Sequence, residues 1–245
     1  MTNIHVPLKP YHKDFSYSYT LGVFPTLELL QHQPERILKV LLHSKGASNE
    51  GVALIRELCA ERGIWTEEQD KAVDKLGSRG DTYAVGVFAK FETPLDGASS
   101  HVVLVNPSDM GNLGTIMRTL LGFGQHDLAI LPPAADAFDP RVVRASMGAL
   151  FSIRQQTFPT FDAYRARFAD RRLYPFMTDS ATLLPEVTFE PPYTLIFGNE
   201  SAGLDPAYNQ IGTPVAIPQT DAVDSLNLAI SVGIALYASS REKPF

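Results

Sequence analysis

The chain has 245 residues, 44% of them hydrophobic and 20% charged, the profile of a globular protein long enough for one large domain or two modest ones with a proper core. Its formal net charge of −6 excludes a protein that coats itself in nucleic acid through a strongly basic surface, although a local basic site stays open. The single cysteine, Cys59, excludes an intramolecular disulfide, and the scatter of His5, His12, His32, His43, His101 and His126 has no metal-ligand spacing.

The start, MTNIHVPLKPYHK, has no apolar signal region, and no later run reaches the roughly 18 uninterrupted apolar residues of a membrane span, so a cytoplasmic protein is expected. Stretches 26–30, 37–42 and 52–62 then alternate helix-like and strand-like patterns, with Cys59 among Val52, Leu54, Ile55 and Leu58 as core. An apolar run at 83–88 is a candidate strand. This first part reads as a small α/β domain without a catalytic cluster. The segment ETPLDGASS at 92–100 has linker composition, and the boundary is placed there, giving domains 1–95 and 96–245. The first carries 11 Lys+Arg against 12 Asp+Glu and the second 10 against 15, so neither is a basic arm. Arg165, Arg167, Arg171 and Arg172 cluster, as do Arg141 and Arg144; both clusters are the size of a phosphate site, and a solvated helix face explains the first equally well.

After the linker, short β-branched runs alternate with helical stretches: HVVLV (101–105), LAIL (128–131), RLYPFM (172–177), TLIF (194–197) and PVAI (214–217). That alternation predicts an α/β fold around a mostly parallel sheet. The stretch MGNLGTIMRTLLGFG at 110–124 spaces Met110, Leu113, Met117 and Leu120 for a helix and stops at Gly122 and Gly124. Arg118 in it falls close to the positive end of the helix macrodipole, where a cation asks for an electron-rich partner. In DPRVVRASMGAL (139–150), Asp139 is the expected N-cap and Pro140 the first helical residue. A last helix, about 225–239, is apolar nearly all round and is expected to be buried in the domain or in a subunit interface.

Three loops lie at the end of the sheet where open α/β proteins bind ligands: NPSDMGNLGTIMR (106–118), FGNESAGL (197–204) and IPQTDAVDSLNLA (217–229). Gly111, Gly114, Gly198 and Gly203 allow close backbone approach, and Asn112, Arg118, Glu200, Ser225 and Asn227 are polar residues in apolar surroundings. The plain alternative makes them turn residues, with Asp224 or Ser225 as an N-cap and Asn199 left-handed. No G-x-G-x-x-G follows a strand, and there is no P-loop and no G-x-S-x-G elbow, so dinucleotide, P-loop and serine-hydrolase readings lack their machinery.

In this order the three loops, N-x-G-x-x-x-R, G-N-E-x-x-G-L and I-P…S-L-N, resemble the three motifs of the SpoU/TrmH family of RNA ribose 2′-O-methyltransferases in the SPOUT superfamily, over residues 101–240. The resemblance implies a parallel-sheet domain with a carboxyl-terminal deep trefoil knot, a homodimer, and the cofactor S-adenosyl-L-methionine held in the knot. The part before it more faintly resembles the ribosomal-protein-like (L30e-like) domain with which many members bind substrate RNA, ribosomal or transfer. Carried over by motif, Asn112, Arg118, Glu200, Ser225 and Asn227 are the catalytic set. Gly198, Ile217 and Leu226, with Asn199, Gly203, Pro218 and Thr178 beside them, are the cofactor-binding set. Arg118, Arg141 and Arg144 are the expected RNA contacts, gathered from two chains into one cleft. One departure is plain: the family writes D-P-x-N-x-G, whereas here four residues separate Pro107 from Asn112. The competing readings are a catalytically inactive RNA-binding or assembly protein with the same fold, and a small-molecule α/β enzyme, for which no phosphate motif speaks.

Overall fold

The computed structural model describes residues 7–77 and 82–240; His5 lies outside them. In chain order its elements are β1 (Tyr17–Tyr19), α1 (Val23–His32), β2 (Ile37–Leu42), α2 (Glu50–Glu61), β3 (Thr66–Glu68), α3 (Asp70–Leu76) and β4 (Ala84–Ala89). There follow β5 (His101–Val105), α4 (Met110–Gly122), β6 (Asp127–Leu131), α5 (Pro140–Ala145), β7 (Arg154–Thr157), α6 (Phe161–Arg167), β8 (Arg172–Pro175), β9 (Tyr193–Phe197) and α7 (Leu228–Ser240). They form two compact units, one of Met1–Phe91 with Asp136–Ser152, the other of Glu92–Ala135 with Ile153–Phe245.

The first unit is a mixed four-stranded sheet in the order β1-β4-β2-β3. Its central strand β4 is buried on both faces and reads as a run without charge, while β2 is apolar except at Lys39, which lies 3.9 Å from Glu67. Val40, Leu42 and Ala84 pack with Leu30, Val52, Ile55 and Cys59, while Leu41, Val85 and Val87 pack with Tyr17, Tyr19 and Val73. Cys59 is core, 1% exposed. The excursion 136–152 joins this unit through Lys90 to Asp136 at 3.1 Å, Gln33 to the Phe151 carbonyl at 3.1 Å, and the edge-on rings of Phe88 and Phe151. Asp139 does cap α5, accepting from the Arg141 N–H, with Pro140 in the first turn. The helix then breaks at Ala145, because Met147 and Gly148 turn left-handed at φ +50° and +84°.

The second unit is a parallel five-stranded sheet in the order β7-β6-β5-β9-β8. The chain runs outward from β5 through β6 to β7, then crosses to β8 and returns to β9 beside β5. The order therefore reverses between β5 and β9, and a crevice opens at their carboxyl ends. The ETPLDGASS segment is tied down: Thr93 donates to the Gln155 carbonyl at 3.4 Å and Asp96 N–H to Asp127 Oδ1 at 2.8 Å.

Three sequence expectations need correction. RQQT at 154–157 is strand β7, unannounced because it is a polar edge strand held by Arg154 on the fully buried Asp127. PVAI forms no strand; Val215 and Ala216 make isolated parallel bridges to Phe176 and Leu183, since the chain passes two partners in turn rather than running along one. The last helix starts at Leu228, not near Ser225; within the chain it covers Val232 and Leu236 and leaves Ile230 57% and Tyr237 62% exposed.

Candidate functional site

At the crevice, the chain leaving β5 turns through Asn106, which is left-handed at φ +53°. Asn199, left-handed in the plain turn alternative, instead holds that turn, its Nδ2 donating to the Asn106 carbonyl at 2.7 Å. Its Oδ1 accepts from the N–H groups of Ser201 and Ala202, at 2.9 and 3.1 Å. Asn199 and Gly203 close the second loop by exchanging backbone hydrogen bonds, 2.9 and 3.1 Å, with Gly203 at φ +68°. The two limbs lie so close that a Cβ on Gly198 would stand 2.1 Å from the Gly203 carbonyl carbon. Only glycine fits there.

Glu200, projecting from this loop, grips the first one. Its Oε2 accepts from the Ser108 N–H at 3.0 Å and the Ser108 hydroxyl at 2.8 Å, and its Oε1 from the Asp109 N–H at 3.0 Å and Asn112 Nδ2 at 3.4 Å. Burial opposes the charge on Glu200, but the Ser108 and Asp109 donors outweigh it and hold its carboxyl below the ordinary range. Asp109 in turn caps α4, accepting from the Asn112 N–H at 2.7 Å. Asn112 Oδ1 accepts from Asn227 Nδ2 at 3.0 Å, and Asn227 Oδ1 caps α7 through the Ala229 N–H at 2.9 Å. Glu200, Asn112 and Asn227 therefore form one hydrogen-bonded chain across the three loops.

The residues of the longer first loop have a use here, since Ser108 and Asp109 are the two that Glu200 holds. Asp109 had a signal in the sequence, an N-cap residue directly before an apolar helical run. Ser108 and Asn106 had none.

Beneath the second and third loops lies a cleft of ≈ 270 Å³. Thr178, Gly198, Asn199, Gly203, Ile217 and Leu226 of the expected cofactor set line it, as do Glu200 and Ser225. Pro218 does not, and Phe176, Phe197 and Gln219 join unforeseen. Phe176 and Phe197 stack at 4.4 Å between centroids. Asn112, Asn227 and Arg118 are not on its wall.

Arg118 is exposed on α4. Among the described residues it has neither hydrogen bond nor ion pair, Glu200 included. The macrodipole argument fails for it, because Arg118 lies past the midpoint of Met110–Gly122. Its missing partner, rather than its place on the dipole, is the unusual feature. Arg141 and Arg144 lie on α5 in the other unit, where Arg141 makes a bidentate pair with Asp139 at 2.9 Å for both bonds. Among the described residues no group of three His, Cys, Asp or Glu is placed to hold a metal ion, and no helix is long and apolar enough to cross a membrane.

A parallel α/β sheet with a mixed apolar and acidic cleft at its switch point defines an open α/β protein whose ligand-sized cleft lies at the carboxyl ends of its strands. The model of the SpoU rRNA Methylase family matches residues 99–237, and the chain belongs to that family. It is similar to an uncharacterized tRNA/rRNA methyltransferase of Synechocystis, 33% identical over 62% of this chain and 57% of the relative. The 23S rRNA (uridine(2479)-2′-O)-methyltransferase of Streptomyces viridochromogenes is 31% identical over 58% of this chain and 52% of that protein. The chain thus spans little more than half the length of these two relatives. In fold it is similar to the AdoMet-bound rRNA methyltransferase of Sinorhizobium meliloti, with a TM-score of 0.81 and 26% identity over 94% of this chain and 89% of that one.

Proposed function

We propose that this chain methylates a ribose 2′-hydroxyl in structured RNA, ribosomal or transfer, using S-adenosyl-L-methionine. The observation that carries this reading is the exposed Arg118, without a partner among the described residues, on the helix whose first turn is clamped, through Glu200, to the loop that walls the cleft. The cleft fits the cofactor's chemistry: Phe176, Ile217 and Leu226 offer apolar walls to a base, Thr178 and the loop backbone offer hydrogen bonds, and Glu200 and Asp224 offer negative charge to a cation.

When bound, S-adenosyl-L-methionine supplies an electrophilic methyl group on a sulfonium. The chain's own task is to bring the 2′-oxygen in line with the methyl–sulfur bond while the hydroxyl proton passes to solvent water, so that the methyl ether, the thioether and one released proton balance the step. The three hydrogen-bonded loops fix the approach, which is a large part of such a barrier. Arg118 is assigned stabilisation of the developing alkoxide rather than proton abstraction, because a guanidinium stays charged at any working pH. Ser225, exposed at the cleft edge, and Asn112 orient the ribose. Arg141 and Arg144 are the first unit's phosphate contacts, and residues 1–95 supply a substrate-binding region.

The same reading takes the protein to be a cytoplasmic homodimer with a knotted carboxyl-terminal segment. In favour of a dimer, α7 leaves Ile230 and Tyr237 exposed on an otherwise packed helix. In favour of the knot, Val215 and Ala216 return to Phe176 and Leu183 before α7 begins.

The test is calorimetric titration with S-adenosyl-L-methionine and S-adenosylhomocysteine, with Gly198→Trp as control, followed by transfer of labelled methyl groups to ribosomal and transfer RNA. Binding that the control abolishes, together with label at a ribose, supports the proposal. No binding even in the presence of total RNA would leave the catalytically inactive RNA-binding reading in its place.

A further inference from the structure

The described cationic side chains of the second unit are Arg118, Arg154, Arg165, Arg167, Arg171 and Arg172, with no lysine among them. Arg154 is spent on buried Asp127. Four of the others thus crowd into 165–172, at the carboxyl end of α6 and the start of β8. Arg172 pairs with Glu190 at 2.5 Å. Arg165, Arg167 and Arg171 have no carboxylate within 4.0 Å among the described residues.

Two of the three are already held in place. The Arg171 guanidinium donates to the carbonyls of Gly97 and Ser99, at 2.9 and 3.2 Å, and lies 5.1 Å from the Phe168 ring centroid. The Arg167 guanidinium lies 5.5 Å from the same ring. Each cation gains from the ring, the two like charges repel one another, and an anion held between them would add two attractions that offset that repulsion. Beside them is a cavity of ≈ 280 Å³ lined by Arg165, Phe168, Arg171, Arg172, Gly212 and Thr213. Its wall is stiff: Gly212 stands at φ +72°, where a Cβ would be 2.2 Å from the Leu173 carbonyl oxygen, and the Thr213 N–H donates to that oxygen at 2.9 Å. Planar guanidinium forks rather than ammonium groups line this hollow, and forks match phosphate oxygens in pairs.

The cavity sits at the amino-terminal ends of the parallel strands, and the methyl-transfer cleft at their carboxyl ends. The five residues of β5 put about 17 Å of sheet between the two. We propose that the cavity walled by Arg165 and Arg171, with Arg167 against the Phe168 ring that lines it, is a second phosphate-binding site, which takes the backbone of the RNA several nucleotides from the one being methylated. This rests on the RNA reading above. An acidic chain that binds RNA needs its cations concentrated where phosphates pass, and among the described residues this is where the unit's cations without a carboxylate partner lie, outside Arg118.

The experiment measures the affinity of the full chain for an unmodified 23S rRNA transcript against salt concentration, for wild type, R165Q/R167Q and R165K/R167K. Both side chains are exposed, and S-adenosyl-L-methionine affinity and thermal midpoint serve as controls of folding. R165Q/R167Q is expected to reduce the salt slope by about 2 and raise KM for RNA roughly tenfold, with kcat and cofactor affinity unchanged. R165K/R167K should recover most of the slope. If wild type binds steeply and R165Q/R167Q matches it in slope and KM, the second site is overturned while the RNA reading stands. If wild type binds neither that transcript nor, in the same titration, bulk transfer RNA, the RNA reading falls and the second site with it.

Discussion

Ser108 and Glu200, 92 positions apart, meet through two hydrogen bonds, from the Ser108 N–H at 3.0 Å and from its hydroxyl at 2.8 Å. This clamp joins the loop after β5 to the loop after β9, across the switch point of the sheet. Glu200→Gln keeps the shape, removes the charge and turns one acceptor oxygen into a donor. The loss is expected to be about 1–3 kcal/mol at the clamp, read by calorimetry as roughly a tenfold weaker hold on S-adenosyl-L-methionine. The Glu200 carboxyl is held below its ordinary range, so its contribution is complete above about pH 4.3 and is lost as pH falls through the lowered folded value. Cofactor affinity should therefore stay level from pH 8 to 5 and fall only in stronger acid, and the variant should lack that acid limb. An unchanged affinity in Glu200→Gln would show that the loops are held by other means.

Arg118 has a different signature. It does not line the cleft, so Arg118→Ala should bind S-adenosyl-L-methionine within about twofold of wild type, while kcat falls on the order of 100-fold or more. Arg118→Lys should not restore the rate, because an ammonium lacks the planar fork. Single-turnover methyl transfer to RNA separates the two effects; near-normal turnover in Arg118→Ala would remove Arg118 from the reaction.

Gly198 and Gly203 line the same cleft but should respond unequally to alanine. At Gly198 the new methyl meets backbone at 2.1 Å, whereas at Gly203 it meets no atom within 4 Å and suffers only the strain of φ +68°. Gly198→Ala is expected to lose cofactor binding and on the order of 3 kcal/mol of stability, and Gly203→Ala about 1–2 kcal/mol with binding retained. Thermal and denaturant midpoints with calorimetry test the order; equal effects would contradict the crossing of the two limbs.

His101 is a buried titratable group at the opposite end of β5, 1% exposed. Its Nε2 lies 2.8 Å from the Asp96 carbonyl, which can only accept, so Nε2 carries the proton and Nδ1 accepts from the Tyr164 hydroxyl at 2.9 Å. Burial lowers its pKa to about 4, the Asp96 carbonyl opposes this, and Arg171 adds to it. Between the ordinary histidine value of about 6.5 and the folded value, the unfolded chain binds a proton that the folded chain does not, so this group lowers stability as pH drops through that window. His101→Gln should be less stable at pH 7 yet lose less between pH 7 and 5 than wild type in urea titrations. Parallel pH profiles would exclude His101 as the source.

Local chemistry made much of this protein legible. The periodicity of Met110, Leu113, Met117 and Leu120 is that of α4, and the runs at 101–105, 128–131 and 194–197 are three central strands, because buried parallel strands carry unbroken apolar sequence. The edge strand β7 was hidden, since its residues are polar and its place depends on Arg154 reaching Asp127, 27 positions away. The 136–152 excursion was hidden for the same reason: Asp136, Phe138 and Phe151 find partners at Lys90, Phe88 and Gln33, and distance along the chain leaves no pattern in a window of sequence.

The sequence by itself determined which residues could do chemistry, because the glycines, amides and acid of the three loops are fixed by side-chain type and short spacing. Only the tertiary structure decided what each one touches. Glu200 grips Ser108 and Asp109 rather than Arg118, Asn227 rather than Ser225 caps α7, and Arg118 has no partner among the described residues, since these outcomes depend on strand order bringing β5 beside β9. A hydrogen bond is settled by a fraction of an ångström between segments about 90 residues apart, and local propensity carries no information at that range.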